Sequence, residues 1–233
     1  MTRNSSERGS SFFLILIGIA LFAALSYAVM QGSRVSQSEL SGDQARLAAQ
    51  DIIQNGDAVA KAVQTLRLRG CADDEISSEG HPDGAINTES PSDESCHIFS
   101  LSGGKVNAKA ADPSYYLTEN PWSGKWLITG DDDFIGIGTN GCSDWTCAEL
   151  LLTLSDLKPD VCLAIEKIVT GNTIMATDDD VQKWNIFTGL NYNSSPNVVG
   201  DDGSVSPLTG RGSGCIHETN ENTYVFYQVL LAR

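Results

Sequence analysis

The distribution of apolar and polar positions divides the chain into distinct regimes. The first is an uninterrupted block, Phe12-Phe13-Leu14-Ile15-Leu16-Ile17-Gly18-Ile19-Ala20-Leu21-Phe22-Ala23-Ala24-Leu25-Ser26-Tyr27-Ala28-Val29-Met30, which holds no charge. As a helix it would run roughly 28 Å, close to the hydrocarbon thickness of a bilayer. A polar stretch follows over residues 33–42. From Asp43 onward the pattern turns amphipathic: Ala48, Ile52, Val59, Val63 and Leu66 recur at steps of three, four and seven, which places one apolar stripe on a helix. Asp43 suits the N-cap, Arg67 and Arg69 suit the last turn, and Gly70 suits the stop. Gly56 interrupts the stretch and is expected to bend it. The expectation is a long N-terminal helix whose first half, residues 10–31, is hydrophobic and whose second half, 32–70, lies on a globular domain.

After Cys71 the chain changes character, with Gly, Ser, Asp, Asn and Pro dominating and apolar runs becoming short. His97-Ile98-Phe99-Ser100-Leu101 and Ser102-Gly103-Gly104-Lys105-Val106 read as two strands around a Gly-Gly turn. Lys125–Thr129 and Phe134–Gly138 read as another pair, joined across Gly130-Asp131-Asp132-Asp133. Helical signals return at Cys147–Leu154, and again from Pro159 through Val161, Ile165 and Ile168 to Gly171. Residues 172–222 are turn-rich. The run Thr223-Tyr224-Val225-Phe226-Tyr227-Gln228-Val229-Leu230-Leu231 is strongly β-prone and is expected to be a central strand. Strands and helices segregate rather than alternate, so the predicted class is α+β: a long hydrophobic and amphipathic helix packed on an antiparallel β-rich, disulfide-bearing domain over residues 71–233.

Charge sharpens this division. The 233 residues carry 15 Lys/Arg against 30 Asp/Glu. Residues 1–70 hold seven basic against five acidic side chains, and residues 71–233 hold eight against 25. An acidic domain of this kind repels nucleic acid and anionic membrane surfaces. Arg3 and Arg8 precede the apolar block, which orients it with its N-terminus inside and the acidic domain exported, despite Arg34 just beyond. A secretory signal cleaved after Ser26-Tyr27-Ala28 is the rival reading, and it exports the domain as well.

The six cysteines, Cys71, Cys96, Cys142, Cys147, Cys162 and Cys215, all follow the apolar block. An even count in an exported, loop-rich domain points to three disulfides. Of the 15 complete pairings six cysteines allow, the sequence alone selects none. Pairing of sequence neighbours, 71–96, 142–147 and 162–215, needs the least chain organisation and is the working expectation. Zinc is disfavoured, because no C-x-x-C pair exists and His81, His97 and His217 lack ligand spacing.

Signals for catalysis are absent. Gly210-Arg211-Gly212-Ser213-Gly214 is no nucleophile elbow, phosphate loop or dinucleotide turn, and reads as a flexible loop before Cys215. The three histidines read as structural or surface residues, and the chain reads as a non-enzyme. Three acidic clusters are candidate calcium sites: Asp131-Asp132-Asp133, Asp178-Asp179-Asp180 and Asp201-Asp202-Gly203. Consecutive aspartates in a turn offer several of the six to eight oxygens calcium requires, although none has the EF-hand spacing. Asp131, Asp133, Asp201 and Asp202 are the best placed, with a solvated acidic turn as the alternative. Tyr115, Tyr116, Trp122, Trp126 and Trp145 fall in the loop-rich middle, either as core packing or as a sugar- or partner-binding face.

The N-terminus resembles the type IV pilin-like proteins. Arg8-Gly9 precedes an uninterrupted apolar helix, and an amphipathic helix then leads into a disulfide-bearing β-rich domain. The resemblance implies a leader of residues 1–9, removed by a prepilin peptidase between Gly9 and Ser10. It also implies an inner-membrane-anchored chain whose 10–31 helix packs with copies of itself or with other pilin-like subunits. A helix apolar on all sides is stable in lipid, and leaves it only when other such helices replace the lipid. Most major pilins carry a glutamate five residues into the mature chain, where this chain has Leu14, so the resemblance is to a minor pilin or pseudopilin. It covers residues 7–35 well and 36–70 loosely. The alternative from the same residues is an extracytoplasmic binding or adhesion domain on a signal anchor, with no filament.

Overall fold

The computed structural model describes residues 14–22, 40–118, 120–139, 146–179, 181, 185–190, 192–200 and 208–233. The chain forms two compact units, Met1–Glu39 and Leu40–Arg233. In the first, residues 14–22 are helical with exposed side chains. The expected leader junction at Gly9 and Ser10, and the remainder of the expected 10–31 helix, lie outside the described residues. Among the described residues no helix is long and apolar enough to cross a membrane.

The second unit opens on helix α1, Gly42–Leu68. Its N-cap is Ser41 rather than Asp43, which sits in the first turn. Ser41 and Gln44 form a capping box. The Gln44 N–H donates to Ser41 Oγ, and the Ser41 N–H donates to Gln44 Oε1 at 3.2 Å, satisfying two donors the helix leaves open. The buried side is wider than the predicted stripe and includes Ala45, Ala48, Ala49, Ala60 and Ala62. The reason is that α1 is covered on several sides: by the sheet, by a second helix, and by the segment spanning residues 71–124.

The sheet has five strands in the order β1-β3-β7-β6-β4. They are β1 (Trp126–Thr129), β3 (Leu150–Leu154), β4 (Ala176–Asp178), β6 (Ser213–Glu218) and β7 (Thr223–Leu231). Pairing is antiparallel throughout except for β4, which joins β6 in parallel at one edge. A separate parallel ladder joins β2 (Asp132–Phe134) to β5 (Asn197–Val199). Helix α2, Pro159–Thr170, starts on its proline and stops at Gly171, whose backbone is left-handed at φ 77°, as its sequence predicts. The two helices begin side by side, where the Leu40 N–H donates to the Asp160 carboxylate.

Both faces of the sheet are covered, and strand alternation sorts the core in two. Leu150, Leu152, Leu154, Cys215, Phe226 and Leu230 face the helical side with Ile52, Val59, Val63 and Leu66. Leu151, Ile216, Val225 and Tyr227 join Phe134, Val199 and Leu208 on the other side. Each large apolar side chain buried in this way contributes roughly 1.5–3 kcal/mol. The architecture is thus mixed helix and antiparallel-rich sheet, with β7 at its centre as expected.

Several sequence expectations are corrected. Leu150–Leu154 is a strand and not part of a helix, because a strand buried on both faces shows a continuous apolar run without alternation. Residues 97–106 form turns rather than a hairpin, and His97 makes only an isolated parallel bridge to Ser77. Gly104 serves close approach there, since a Cβ on it would lie 2.5 Å from the Ile98 carbonyl oxygen and 3.0 Å from Ala62 Cβ. Trp126–Thr129 is a strand, but its partner is β3, and only Phe134 of the expected 134–138 strand belongs to one. Ile168 is partly exposed at the end of α2 rather than seated in its buried stripe.

Candidate functional site

Two of the expected disulfides are formed, Cys71–Cys96 and Cys162–Cys215. The first closes the entry to the 71–124 segment at the end of α1. The second joins α2 to β6 within the helical-side core. Cys147 is also disulfide-bonded, and Cys142 lies outside the described residues.

The candidate calcium ligands take a different place from the one their sequence suggests. Asp131, Asp132 and Asp133 are not a solvated turn: all three are buried at the start of β2. Asp131 accepts from Thr129 Oγ1 at 3.1 Å, and burial raises its pKa against the opposing hydrogen bonds from Thr129 and Asn185. Asp132 accepts from Asn197 Nδ2 at 3.3 Å. Among the described residues one trio of potential metal donors lies within 4.8 Å, Cys71, Glu75 and Cys96. The two sulfurs of that trio are bonded to each other, so it is no metal site. Asp131 and Asp133 belong to no such trio, and Asp201 and Asp202 lie outside the described residues.

Beside β2 the fold buries a further acid that its sequence did not advertise. Glu149 is fully buried ahead of β3, accepting from the Phe134 N–H through Oε2 at 2.8 Å, while its own N–H donates to the Asp132 carbonyl. Its Oε1 is buried without a hydrogen-bond partner. Burial, and next the Phe134 hydrogen bond and the Asp133 charge acting in opposite senses, leave its pKa pushed up to about 8.

The described histidines and aromatics make local hydrogen bonds and packing contacts. His81 accepts from the Asp83 N–H at Nδ1, so Nε2 carries the proton and donates to the Lys109 carbonyl at 3.1 Å. Trp126 packs edge-on against Phe226 in the core, and Tyr115 donates to Asp51 on α1. Tyr116 closes over Gly124, and Trp122 lies beneath Lys125. They do not converge on one face. Trp145 lies outside the described residues.

A cleft at one end of the sheet does bring chemistry together. It has a volume of about 470 Å³ and lies between Leu117 and Asn120, the β3–α2 connection and the β6–β7 turn. Asp156 lies in the β3–α2 connection with a left-handed backbone at φ 59°, a conformation that aspartate tolerates better than most residues. It is 2% exposed. Its Oδ2 accepts from Asn120 Nδ2 at 2.8 Å and from Ser123 Oγ at 2.7 Å, and its Oδ1 has no hydrogen-bond partner. Leu117, Leu157, Pro159 and Tyr224 supply apolar wall, and Glu221 and Asn222 stand at the turn. That turn is fixed from below. Glu218 accepts from the Asn220 and Glu221 N–H groups, and Asn222 Oδ1 lies 2.9 Å from His217 Nε2, whose ring stacks on Tyr224.

No family model, no curated protein and no solved structure matches the chain.

Proposed function

We propose that this chain is a minor pilin-like or pseudopilin-like structural subunit of a cell-envelope filament or secretion apparatus, its acidic domain held outside the cytoplasm. The observation that carries the reading is the placement of α1. An amphipathic helix of 27 residues lies along an antiparallel-rich sheet, and in sequence it follows an uncharged apolar block preceded by Arg8-Gly9.

In this reading the apolar block is the part that assembles. Its outward side chains have no preferred aqueous partner, so it resides in lipid or against equivalent helices. Partners are therefore copies of the chain or other subunits with the same kind of N-terminal helix. The disulfides support export, because such bonds persist in oxidising compartments. The role asked of the domain is mechanical rather than catalytic, and covalent staples around a two-sided core suit a load-bearing module.

Mass spectrometry of the intact protein from its native envelope tests the proposal. A mature chain that starts at Ser10, after removal of the leader ending in Gly9, is the expected result. A chain that starts at Met1 would replace the filament subunit with a plain anchored domain, and one that starts at Val29 would make it a secreted protein.

A further inference from the structure

We propose that the cleft beside Asp156 is a recognition pocket for an ammonium group carried on an apolar stem, the chemistry shared by a lysine side chain and a free alkylamine. Among the described residues that line it are two carboxylates, Asp156 and Glu221, and no lysine or arginine. An anionic ligand meets like charge there, on a protein that is acidic throughout its globular part.

A wholly apolar ligand is disfavoured for a different reason. Asp156 Oδ1 has no hydrogen-bond donor in the fold, and hydrocarbon in the cleft cannot supply one, so an apolar ligand recovers none of the cost of that acceptor. A cation that displaces the atoms shielding Oδ1 supplies the missing partner. Asn120 and Ser123 already occupy Oδ2, so Asp156 offers one oxygen rather than a pair. That selects a compact ammonium, which donates from a point, over a guanidinium, whose planar fork is matched by two acceptors.

The walls match the rest of the ligand. Leu117, Leu157, Pro159 and Tyr224 are suited to methylene contacts, while Asn120, Asn222 and Thr223 supply neutral polar groups. The volume falls in the range of roughly 300–1,000 Å³ typical of ligand pockets. The left-handed backbone at Asp156 and the buried β3–α2 connection hold the carboxylate in place before any ligand arrives. The inference does not depend on filament assembly, because the pocket lies wholly within the second unit.

The test is a titration of the isotope-labelled full chain in detergent micelles, followed by NMR at the amides of Leu117, Leu157 and Thr223. The probes are Nα-acetyl-lysine methylamide, its Nε-acetylated form, the neutral norleucine analogue, and n-butylammonium. The expected result is saturable shifts with the lysine derivative at about millimolar concentration and none with the two neutral probes. Asp156→Asn retains an acceptor for Asn120 and Ser123 and tolerates the left-handed backbone, and should weaken binding about tenfold or more. Glu221→Gln, at an exposed position, should weaken it about two- to threefold. Saturable binding of either ammonium probe supports the pocket, and the tighter of the two assigns its source to a polypeptide lysine or to a free amine. Equal shifts with norleucine, or no shift at the cleft amides with any amine, would overturn the pocket itself, whether or not the Asp156 variant folds.

Discussion

Gly56 and Phe226 meet so closely that a Cβ built on the glycine would lie 2.9 Å from Phe226 Cζ. The contact brings the middle of α1 down onto the central strand. The Phe226 ring is fully buried and held edge-on by Trp126, so it has nowhere to retreat. The glycine therefore serves approach, and the bend expected of it from sequence is not needed to explain its presence. Gly56→Ala gains about 1 kcal/mol of helix propensity but overpacks the core by about 1–3 kcal/mol. We expect net destabilisation in urea denaturation, relieved when Phe226→Leu is added. Additive effects of the two substitutions would mean that the contact carries no coupling.

Glu149 gives the fold a defined response to pH. In the folded chain it holds its proton up to about pH 8, whereas its ordinary value is 4.5. Between these values the folded state binds more protons than the unfolded state, so stability falls as pH rises through the window and levels off above it. The full difference is on the order of 4–5 kcal/mol, and Asp133 and Arg233 act on it in opposite senses. Glu149→Gln keeps an acceptor for the Phe134 N–H and should remove most of this loss. Denaturation of both proteins across about pH 5 to 9 checks it, and parallel pH profiles would show that Glu149 is not the cause.

Glu166 on α2 accepts from Arg211 Nη2 at 2.5 Å and from the Cys215 N–H at 2.8 Å. Truncation to alanine removes the acceptor that the two donors share. We expect a loss of about 3–5 kcal/mol for Glu166→Ala. Glu166→Gln retains an acceptor for Cys215 and should lose about half as much or less. Equal losses for the two variants in chemical denaturation would place the whole effect in the carboxylate charge, with nothing left for the side-chain volume and the Cys215 acceptor that glutamine keeps.

The two described disulfides differ in span, with sequence separations of 25 for Cys71–Cys96 and 53 for Cys162–Cys215. Loop-closure entropy assigns about 3.5 and about 4 kcal/mol to them. Replacing each pair with alanines should lower the denaturation midpoint in both cases. Hydrogen exchange separates them further. Loss of Cys71–Cys96 should expose amides in residues 71–106, and loss of Cys162–Cys215 should raise exchange in α2 and β6. A uniform rise in both variants would indicate that the staples act only through global stability.

Legibility in the sequence followed local punctuation. Pro159 and Gly171 bracket α2, and the aromatic and β-branched run of β7 marked its own place, because these signals do not depend on what packs against them. The stretch 147–154 failed for the opposite reason. Its apolar run is shaped by burial on both faces of the sheet, which periodicity does not reveal, and the error carried Glu149 with it. On a helix that lone acid would have pointed to solvent, whereas ahead of a doubly covered strand it is interior. Asp131–Asp133 read as a solvated turn, yet the chain pairs Asp132–Phe134 with Asn197–Val199, 65 residues on. Asp156 gave no sign at all beyond a short polar connector before Pro159, since its partners Asn120 and Ser123 are distant in sequence. Glu166 and Arg211 likewise became a pair only through the packing of α2 on β6.

The central position of β7 also sets a timetable. It is the last described strand to leave the ribosome, and β3 and β6 both pair with it. Until it arrives, β1 with β3 and β4 with β6 are separate ribbons whose inner edges offer unpaired backbone to any passing strand. A domain exported in chain order would complete its sheet only when β7 emerges. The partly made domain keeps these edges open until then, and loss of β7 would leave two half-sheets with no seam between them.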